Sequence, residues 1–405
     1  MILTNLPQEI IDRIIDEIAL DTSTETQQIT SDLKTLSLTS SKLHPRSRTH
    51  LFRTLEITSI SFPSWCKDVR PGRDGPSRFV AHLRYHPASS ETERITGPSE
   101  DSFTRNPSHL SAFTNLRTLH LVEISLKHAG YLTSFGRLST NVRELWLEDC
   151  EMDISQFVSF LRPFANLERL RLIRPQCHNE NKLQVSDMAD PPPLKRTLEY
   201  HQPDMASSRN IPSFIRELSL LPAAFHTIVF RDRLETPTGV NRLLAASRNT
   251  LTKLTFGHNS QLSAPLTISH TSELNPPFSA IPKGINLKPL EALQELELGT
   301  FVVGPLPRVL STIRSSNLEN IRFLVLVHEL EEDVDYSTRN SWHQLDFELC
   351  ALVNRSHATK SHNGANLQVK VSDSNPATPA WSVDEIARLF FPRAYDHSRI
   401  SFSVG

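Results

Sequence analysis

The chain has 405 residues, with 43 basic and 45 acidic side chains and a formal net charge of −2. A charge this close to zero gives no reason to expect nucleic acid or an anionic membrane surface as a partner. The four cysteines, Cys66, Cys150, Cys177 and Cys350, are scattered without a CxxC pair, so neither a disulfide framework nor a zinc site is predicted.

The expected compartment follows from the cysteines and from the apolar segments. Scattered cysteines fit a reducing environment. No apolar run approaches the roughly 18 residues that a membrane-spanning helix needs. Glu9 and Asp12 interrupt the apolar stretch near the N-terminus, and a signal-peptide core would not carry them. We therefore expect a cytoplasmic and/or nuclear protein.

The first predicted element is an amphipathic helix that begins at Leu6-Pro7-Gln8-Glu9. Proline suits the first helical position, and an acidic residue favours the N-terminal end of the helix dipole. The apolar stripe of this helix consists of Ile10, Ile11, Ile14, Ile15 and Ile18. Residues 21–30 are predicted to form a polar loop. Ser31 is expected to cap a second short helix, and Pro45 must start or break a helix.

These helices form too small a module to bury five isoleucines and several leucines on themselves, so the apolar stripe needs another surface. Two interpretations are open. The module caps a repeat array that follows it, because terminal repeats need an atypical cover. Alternatively, its apolar face docks a helix of a partner protein.

Residues 3–55 resemble an F-box, in the form found at the start of many fungal, basidiomycete-type F-box proteins. The matching residues are Leu6-Pro7-x-Glu9-Ile10, Ile14-Ile15, Leu33-x-x-Leu36-Ser37-Leu38, Pro45-x-Ser47 and Leu51-Phe52-Arg53. The sequence has Ser40 where the family commonly has cysteine, and Leu43 where it commonly has tryptophan.

The resemblance implies a protein-docking role. In that family the motif binds a Skp-type adaptor, which links the protein to a cullin and a RING-bearing ubiquitin ligase. Carried over by position, the implied adaptor contacts are Leu6, Pro7, Ile10, Ile14, Leu36 and Leu43.

Three similar segments follow in the chain. They are Asn115-Leu116-Arg117-Thr118-Leu119-His120-Leu121, Asn141-Val142-Arg143-Glu144-Leu145-Trp146-Leu147 and Asn166-Leu167-Glu168-Arg169-Leu170-Arg171-Leu172. Their spacing of about 26 and about 25 residues lies within the period of leucine-rich repeats. Such repeats are stacked strand-plus-helix units, each of which buries its apolar edge on its neighbours.

Weaker copies of the same pattern continue to the end of the chain. Strands are predicted at Ile215-x-x-Leu218-x-Leu220, Phe225 to Phe230, Leu251-x-x-Leu254-x-Phe256, Leu293-x-x-Leu296-x-Leu298, Leu318-x-x-Ile321-x-Phe323, Leu367-x-Val369-x-Val371 and Ile400-x-Phe402-x-Val404. Helices are predicted around Phe157, around Leu243 and around Leu345. Ser382 and Glu385 are spaced as a capping box.

Three stretches rich in Ser, Pro, Asn and charge are predicted as loose insertions, at residues 86–108, 177–210 and 262–282. Loops of this length are either binding elements or disordered segments, and both interpretations stay open.

In a repeat of the form LxxLxL the leucines face the core and the intervening residues face the concave sheet surface. The residues predicted on that surface are Thr118, His120, Glu144, Trp146, Glu148, Arg169, Arg171, Glu217, Lys253, Glu295, Glu297, Asn320 and Arg322. Among them, His120, Glu144, Trp146, Arg169 and Arg171 are the candidate substrate-binding residues.

Trp146 is the most prominent of these, because an exposed aromatic ring beside charges is typical of a recognition hot spot. The alternative is structural: Arg171 stacks on the Trp146 ring, and Glu144 pairs with Arg169 across the strands.

The chain carries none of the GxGxxG, GxxxxGK[ST], GxSxG or HExxH motifs, so no catalytic residue, cofactor or metal site is predicted. The predicted fold is α/β, with a helical F-box module at residues 1–55 and an irregular leucine-rich-repeat-like solenoid at residues 56–405. The predicted function is the substrate-recognition subunit of a Skp–cullin–F-box ubiquitin ligase. The alternatives are a leucine-rich-repeat scaffold with no cullin link, and an enzyme whose site is built from loops.

Overall fold

The computed structural model describes residues 6–20, 26–58, 61, 76–87, 113–126, 141–152, 154–177, 196–201, 215, 218, 224–231, 237–257, 284–300, 306–326, 336–359, 366–372 and 382–404. These residues form an α/β fold whose main strands are parallel. The chain divides into two compact units, Met1–Glu168 and Arg169–Gly405. The first unit contains the N-terminal helices together with five of the described strands, and the division expected at residue 55 stays a prediction.

The first unit begins with three helices and continues as a parallel sheet. Its elements are α1 (Gln8–Leu20), α2 (Thr26–Thr39), α3 (His44–Leu51), β1 (Thr54–Thr58), a 3-10 turn (Pro76–Phe79), β2 (His82–His86), β3 (Thr118–Val122), β4 (Glu144–Glu148), β5 (Glu151–Met152) and α4 (Ile154–Leu161). The sheet order is β1-β2-β3-β4, and every pair is parallel.

The second unit repeats the alternation of strand and helix. Its elements are β6 (Arg169–Ile173), β7 (Gln176–Cys177), β8 (Thr197–His201), β9 (Thr227–Arg231), α5 (Pro237–Ala246), β10 (Lys253–Phe256), β11 (Glu295–Thr300), α6 (Leu306–Ser311), β12 (Asn320–Leu326), α7 (Tyr336–Thr359), β13 (Asn366–Ser372), α8 (Val383–Phe390), α9 (Pro392–Tyr395) and β14 (Ile400–Val404). The sheet order is β6-β8-β9-β10-β11-β12-β13-β14, again parallel.

Alternate side chains of the strands build the core of each unit, as the LxL pattern predicts. In the first unit Leu119 and Leu121 lie in register with Leu145 and Leu147, and all four are fully buried. In the second unit Phe230 stacks on Phe256 with ring centroids 5.1 Å apart. In-register apolar rows fix which face of each strand is buried, because a slip of one residue would turn every side chain over.

Asparagines at the start of the repeats tie successive segments together. The Nδ2 atom of Asn115 donates to the Arg78 carbonyl, and that of Asn141 donates to the Thr114 carbonyl, both at 2.6 Å. In the second unit Asn317 donates to the Glu291 carbonyl at 3.0 Å. Each amide satisfies a loop carbonyl of the preceding repeat, which explains why the motif opens with asparagine.

A second recurring device is a carbonyl, one residue before a strand, that accepts two N–H groups of the next repeat. The Arg117 carbonyl accepts from Arg143 N at 2.8 Å and from Glu144 N at 2.9 Å. The same arrangement occurs at the carbonyls of Arg53, Ala81, Arg196, His226, Thr252 and Gln294. These shared carbonyls set the parallel register where each strand begins.

Strands β3, β4 and β6 are each followed by a residue in the left-handed region. The φ angles are 54° at Glu123, 52° at Asp149 and 48° at Arg174. A non-glycine residue there brings its Cβ close to the backbone. We expect Glu123→Gly to raise the free energy of unfolding by about 0.5–1 kcal/mol, after allowing for the greater freedom of glycine in the unfolded chain.

Denaturant unfolding of Glu123→Gly beside Glu123→Ala tests this expectation. The alanine variant removes the same exposed side chain but keeps the cost of the positive φ angle. Equal stability of the two variants would show that the left-handed residue carries no strain.

The structure corrects the prediction for residues 177–220. Ile215 and Leu218 are helical, and strand β8 lies inside the insertion predicted at residues 177–210. An L-x-x-L spacing also fits a helix face, which is why the pattern misled. In β8 the buried Leu198 and Tyr200 alternate with polar residues.

The other two predicted insertions fall mostly outside the described residues. Residues 88–108 and 262–282 are not described, whereas His86 ends β2. Strands β1 and β2 were not predicted.

In the N-terminal helices, the prediction that Ser31 caps the second helix was wrong. Helix α2 begins at Thr26, so it also covers part of the predicted loop at residues 21–30. Pro45 lies in the first turn of α3, as predicted.

The remaining predicted elements are confirmed. Strands β9 to β14 and helices α4, α5 and α7 occur where the patterns place them. Both hydrogen bonds of the capping box between Ser382 and Glu385 are present at the start of α8.

Candidate functional site

Helices α1, α2 and α3 form a small cluster around a shared apolar core. Ile11 and Ile15 of α1 are fully buried against Leu33 of α2 and against Leu43, which precedes α3. Leu6, Ala19, Ile29, Leu36 and Leu51 pack around this core and are partly buried. The cluster is thus held together by one side of the predicted isoleucine stripe.

Three large apolar side chains of the cluster are left in solvent. Ile10 is 46% exposed, Leu20 is 63% exposed and Leu38 is 88% exposed. Exposure of a single apolar residue is ordinary, but three on one helical module form a candidate surface for a partner.

The predicted adaptor contacts therefore separate into three groups by exposure. Pro7 and Ile10 lie on the outside of the cluster, and Leu6, Ile14 and Leu36 are half-buried. Leu43 is buried in the core of the cluster, where it holds the helices together.

A carboxylate on α1 links that helix to α3. Arg46 donates two hydrogen bonds to Asp16, from Nε to Oδ1 and from Nη2 to Oδ2, each at 2.6 Å. The Nε2 atom of His50 lies 2.7 Å from Asp16 Oδ1. These contacts lower the pKa of Asp16 to about 2, the hydrogen bonds from Arg46 making the largest contribution. Such a bidentate pair fixes the crossing of the two helices.

The folded-state pKa of Asp16 lies below its ordinary value of 3.8, so its contribution to stability is present above about pH 4 and is lost as the pH falls toward 2. We expect Asp16→Asn to lower the free energy of unfolding at pH 7 by about 1–2 kcal/mol. This is less than the full pKa shift implies, because the pair is partly exposed and screened.

Urea unfolding at pH 7 and pH 2.5 tests this expectation, with Asp32→Asn as the control, since Asp32 accepts a hydrogen bond from Gln28 alone among the described contacts. The difference between the wild type and Asp16→Asn should be largest at pH 7 and much smaller at pH 2.5, because protonation of Asp16 removes most of its contribution. A difference that persists unchanged at low pH would contradict the role assigned to Asp16.

A polar network covers one face of the sheet in the first unit. One row of side chains in register runs Glu56, Arg84, His120 and Trp146. The Arg84 Nη1 atom donates to Glu56 Oε1 at 3.4 Å, and His120 Nε2 lies 3.0 Å from Glu148 Oε2. The His120 and Trp146 rings pack at a centroid distance of 5.3 Å.

The face of this sheet is less exposed than the repeat pattern predicts. Thr118 and Glu148 are buried, and Glu144 and Trp146 are half-buried. Glu148 is covered because His120 approaches it at 3.0 Å and Arg84 Nη2 at 3.9 Å. Neighbouring side chains therefore cover Glu148, and Thr118 is also buried, whereas Trp146 keeps part of its surface exposed next to His120.

Two arginines flank a histidine where this sheet begins. Burial, reinforced by the positive charges of Arg53 and Arg117, lowers the pKa of His82. Its imidazole is therefore neutral at pH 7.

The predicted residues of the second unit have different environments. Arg169 is exposed, but Arg171 is buried, with its Nε atom 3.3 Å from Glu199 Oε2. Arg231 Nη2 approaches the same carboxylate oxygen at 3.8 Å. Arg171 is thus covered by a network of charges with Glu199 and Arg231, and its role in substrate binding stays a prediction. Glu217 lies outside the described residues.

Neither protein-family models nor characterised proteins match this sequence. The side chains themselves indicate which chemistry the site can support. Burial raises the pKa of the Cys150 thiol to about 12, so Cys150 is not a thiolate nucleophile at neutral pH. Among the described residues, no group of three or more His, Cys, Asp or Glu side chains has an arrangement suited to a metal ion.

No described helix is both long enough and apolar enough to cross a membrane.

Sequence reasoning missed the residues that organise these surfaces. Asp16 was not among the predicted site residues, although Arg46 and His50 contact its carboxylate. Glu199 lay inside a predicted insertion. The signal for Glu199 was the alternation of Thr197, Leu198, Glu199 and Tyr200, which places it on the polar face of a strand.

Proposed function

We propose that the protein is the substrate-recognition subunit of a Skp–cullin–F-box type ubiquitin ligase. The F-box-like helices α1 to α3 would dock a Skp-type adaptor, and a leucine-rich-repeat-like array of parallel strands would hold the target. The resemblance of residues 3–55 to an F-box and the recurring LxxLxL segments support this proposal together.

The observation that carries the proposal is the division of the α1 stripe into an inner and an outer set. Ile11 and Ile15 satisfy the core of the cluster, while Ile10, with Pro7 beside it, is left outside. An amphipathic helix that presents apolar side chains after its own core is complete is typical of helix-in-groove recognition. Both outward residues are among the adaptor contacts that the F-box resemblance implies.

The proposed mechanism is proximity. A receptor that holds its target beside a ubiquitin-charged enzyme converts an encounter between two molecules into a reaction within one complex. Such a receptor needs a binding surface and no catalytic residue of its own. The half-buried Trp146 beside His120 is the proposed anchor for the target in the first unit, with Glu144 contributing charge.

The test is co-purification of the full chain with a Skp-type adaptor. Ile10→Asp places a charge on the exposed side of α1 and should abolish a stoichiometric complex. Leu389→Asp is the matched control, because Leu389 is 55% exposed on α8 in the second unit. A complex formed equally well by the wild type and Ile10→Asp, or no complex with the folded wild type, would refute adaptor docking through α1.

A second function is favoured by the junction between helices and sheet. Only Phe52 and Arg53 separate α3 from β1, and the Arg53 carbonyl accepts from Ala81 N and His82 N of the next repeat. This continuity suits a scaffold in which the helices cap a protein-binding array without any cullin link.

Removing residues 1–52 discriminates the two functions. A docking module can be removed without loss of the sheet, whereas loss of a cap unfolds it.

A further inference from the structure

The second unit has a pocket of about 380 Å³ between three helices. Pro307 and Arg308 of α6, His343 and Phe347 of α7, and Arg393 of α9 line it. Phe347 is 54% exposed, so an aromatic ring forms part of an open surface. None of these residues belongs to the polar face of the sheet.

The pocket is held in shape by a buried carboxylate. Asp346 is buried next to Phe347, and its Oδ1 and Oδ2 atoms accept from Ala394 N at 2.8 Å and from Arg393 N at 3.1 Å. These bonds fix the start of α9 against α7. The Arg393 guanidinium carbon consequently lies 5.6 Å from the centre of the Phe347 ring.

The acidic and basic side chains around the pocket differ in the partners they have within the protein. Both oxygens of Asp346 accept backbone N–H groups, whereas the buried Oε2 atom of Glu348 accepts no hydrogen bond from the described residues and lies 3.7 Å from Arg355 Nη2. In the described part of the chain, no carboxylate lies within 4 Å of the guanidinium of either Arg308 or Arg393. The pocket therefore presents two guanidinium groups that can bind a carboxylate, beside the exposed ring of Phe347.

We propose that this pocket binds an acidic segment of a partner protein, in which glutamate or aspartate residues flank an apolar side chain. The carboxylates would pair with Arg308 and Arg393, because a planar guanidinium matches a carboxylate in two parallel hydrogen bonds. The apolar side chain would pack on Phe347. The aromatic floor favours a peptide over a bare polyanion, since a phosphate backbone would leave that ring uncovered.

This inference does not depend on adaptor docking, because it uses other residues in the second unit. It adds a second interaction surface on the helical side of that unit. Within the proposed ligase it would recruit an acidic regulator or target, and within a scaffold it would serve as a docking site.

Fluorescence anisotropy with the full chain tests the proposal. The probe is a labelled peptide in which leucine residues are flanked by pairs of glutamates, and the control peptide has glutamine in place of every glutamate. We expect the wild type to bind only the acidic peptide. Arg308→Glu and Arg393→Glu should each weaken binding by about tenfold or more, because each replaces attraction with repulsion.

Arg248→Glu is the matched control variant, since it makes the same change in net charge at an exposed position of the second unit, just after α5. It should bind like the wild type, and thermal unfolding should show that all three variants are folded. Equal loss of binding in Arg248→Glu, equal binding of the glutamine peptide, or no saturable binding by the wild type would overturn the proposal. So would equally tight binding of a single-stranded oligonucleotide, which would indicate a general polyanion surface.

Discussion

Ile11→Asp is expected to unfold the three N-terminal helices, whereas Ile10→Asp leaves them folded. The two isoleucines are neighbours on α1, but Ile11 is fully buried and Ile10 is 46% exposed. A carboxylate at position 11 would lie among Ile15, Leu33 and Leu43 with no described cation in that core. An unpaired buried charge costs about 4 kcal/mol or more, which exceeds what so small a module can supply.

Hydrogen exchange followed by mass spectrometry measures this difference directly. Amides of α1 to α3 should lose protection in Ile11→Asp and keep it in Ile10→Asp. The exchange of strands β1 to β4 then discriminates the two proposed functions. Protection retained in those strands fits a separate docking module, and protection lost fits a cap. Protected helices in Ile11→Asp would show that the assigned core is wrong.

Trp342→Ala is expected to lower the free energy of unfolding of the second unit by about 3–5 kcal/mol. Trp342 is 2% exposed on α7, and its ring packs against Phe390 and Phe391 with centroid distances of 5.3 and 5.4 Å. Its removal loses the burial of a large aromatic surface and leaves a cavity that neighbouring rings fill only in part. Because these rings join α7 to the end of α8, the helical face of this unit should loosen.

Phe347→Ala is the matched control for this variant. Phe347 lies on the same helix but is half-exposed, so its truncation should cost less than about 1 kcal/mol. Denaturant unfolding followed by circular dichroism compares the two variants with the wild type. Similar losses in both would contradict the assignment of Trp342 to the core. The pair also separates stability from binding, because Phe347→Ala removes the aromatic floor of the proposed acidic-peptide pocket.

In the main sheets, strands β3, β4, β6 and β9 to β14 could be predicted from the sequence, mostly through the LxxLxL pattern, whereas β1, β2 and β8 could not. Leu119 and Leu121 lie in register with Leu145 and Leu147 because apolar residues with a period of two must share one buried face. Strands β1, β2 and β8 each carry only two apolar side chains, as in Leu83 and Tyr85 of β2. So short a signal also fits a turn or a helix edge, and the strands form because their neighbours supply hydrogen bonds.

The candidate sites were less predictable, because exposure depends on neighbours that are distant in the chain. Five isoleucines on α1 occupy more than one face, and only packing on Leu33 and Leu43 decides that Ile11 points inward. Likewise, the sequence pattern places Arg171 on the polar face of a strand but does not indicate that Glu199 and Arg231 cover it there. The pocket around Phe347 combines three helices whose sequences share no motif.

The shared carbonyls make the fold modular at defined cut points. In the native chain the Arg143 carbonyl, just before β4, accepts from Glu168 N. Deleting residues 118–143 would join Arg117 directly to Glu144. The Arg117 carbonyl would then take the position of the Arg143 carbonyl and accept from Glu168 N in its place. A duplication with the same ends would likewise leave every strand-start amide with an acceptor. A deletion or duplication that ended within a strand would leave these backbone N–H groups without an acceptor. Gain or loss of whole repeats between such carbonyls is therefore a structurally permitted route by which this architecture can change its length.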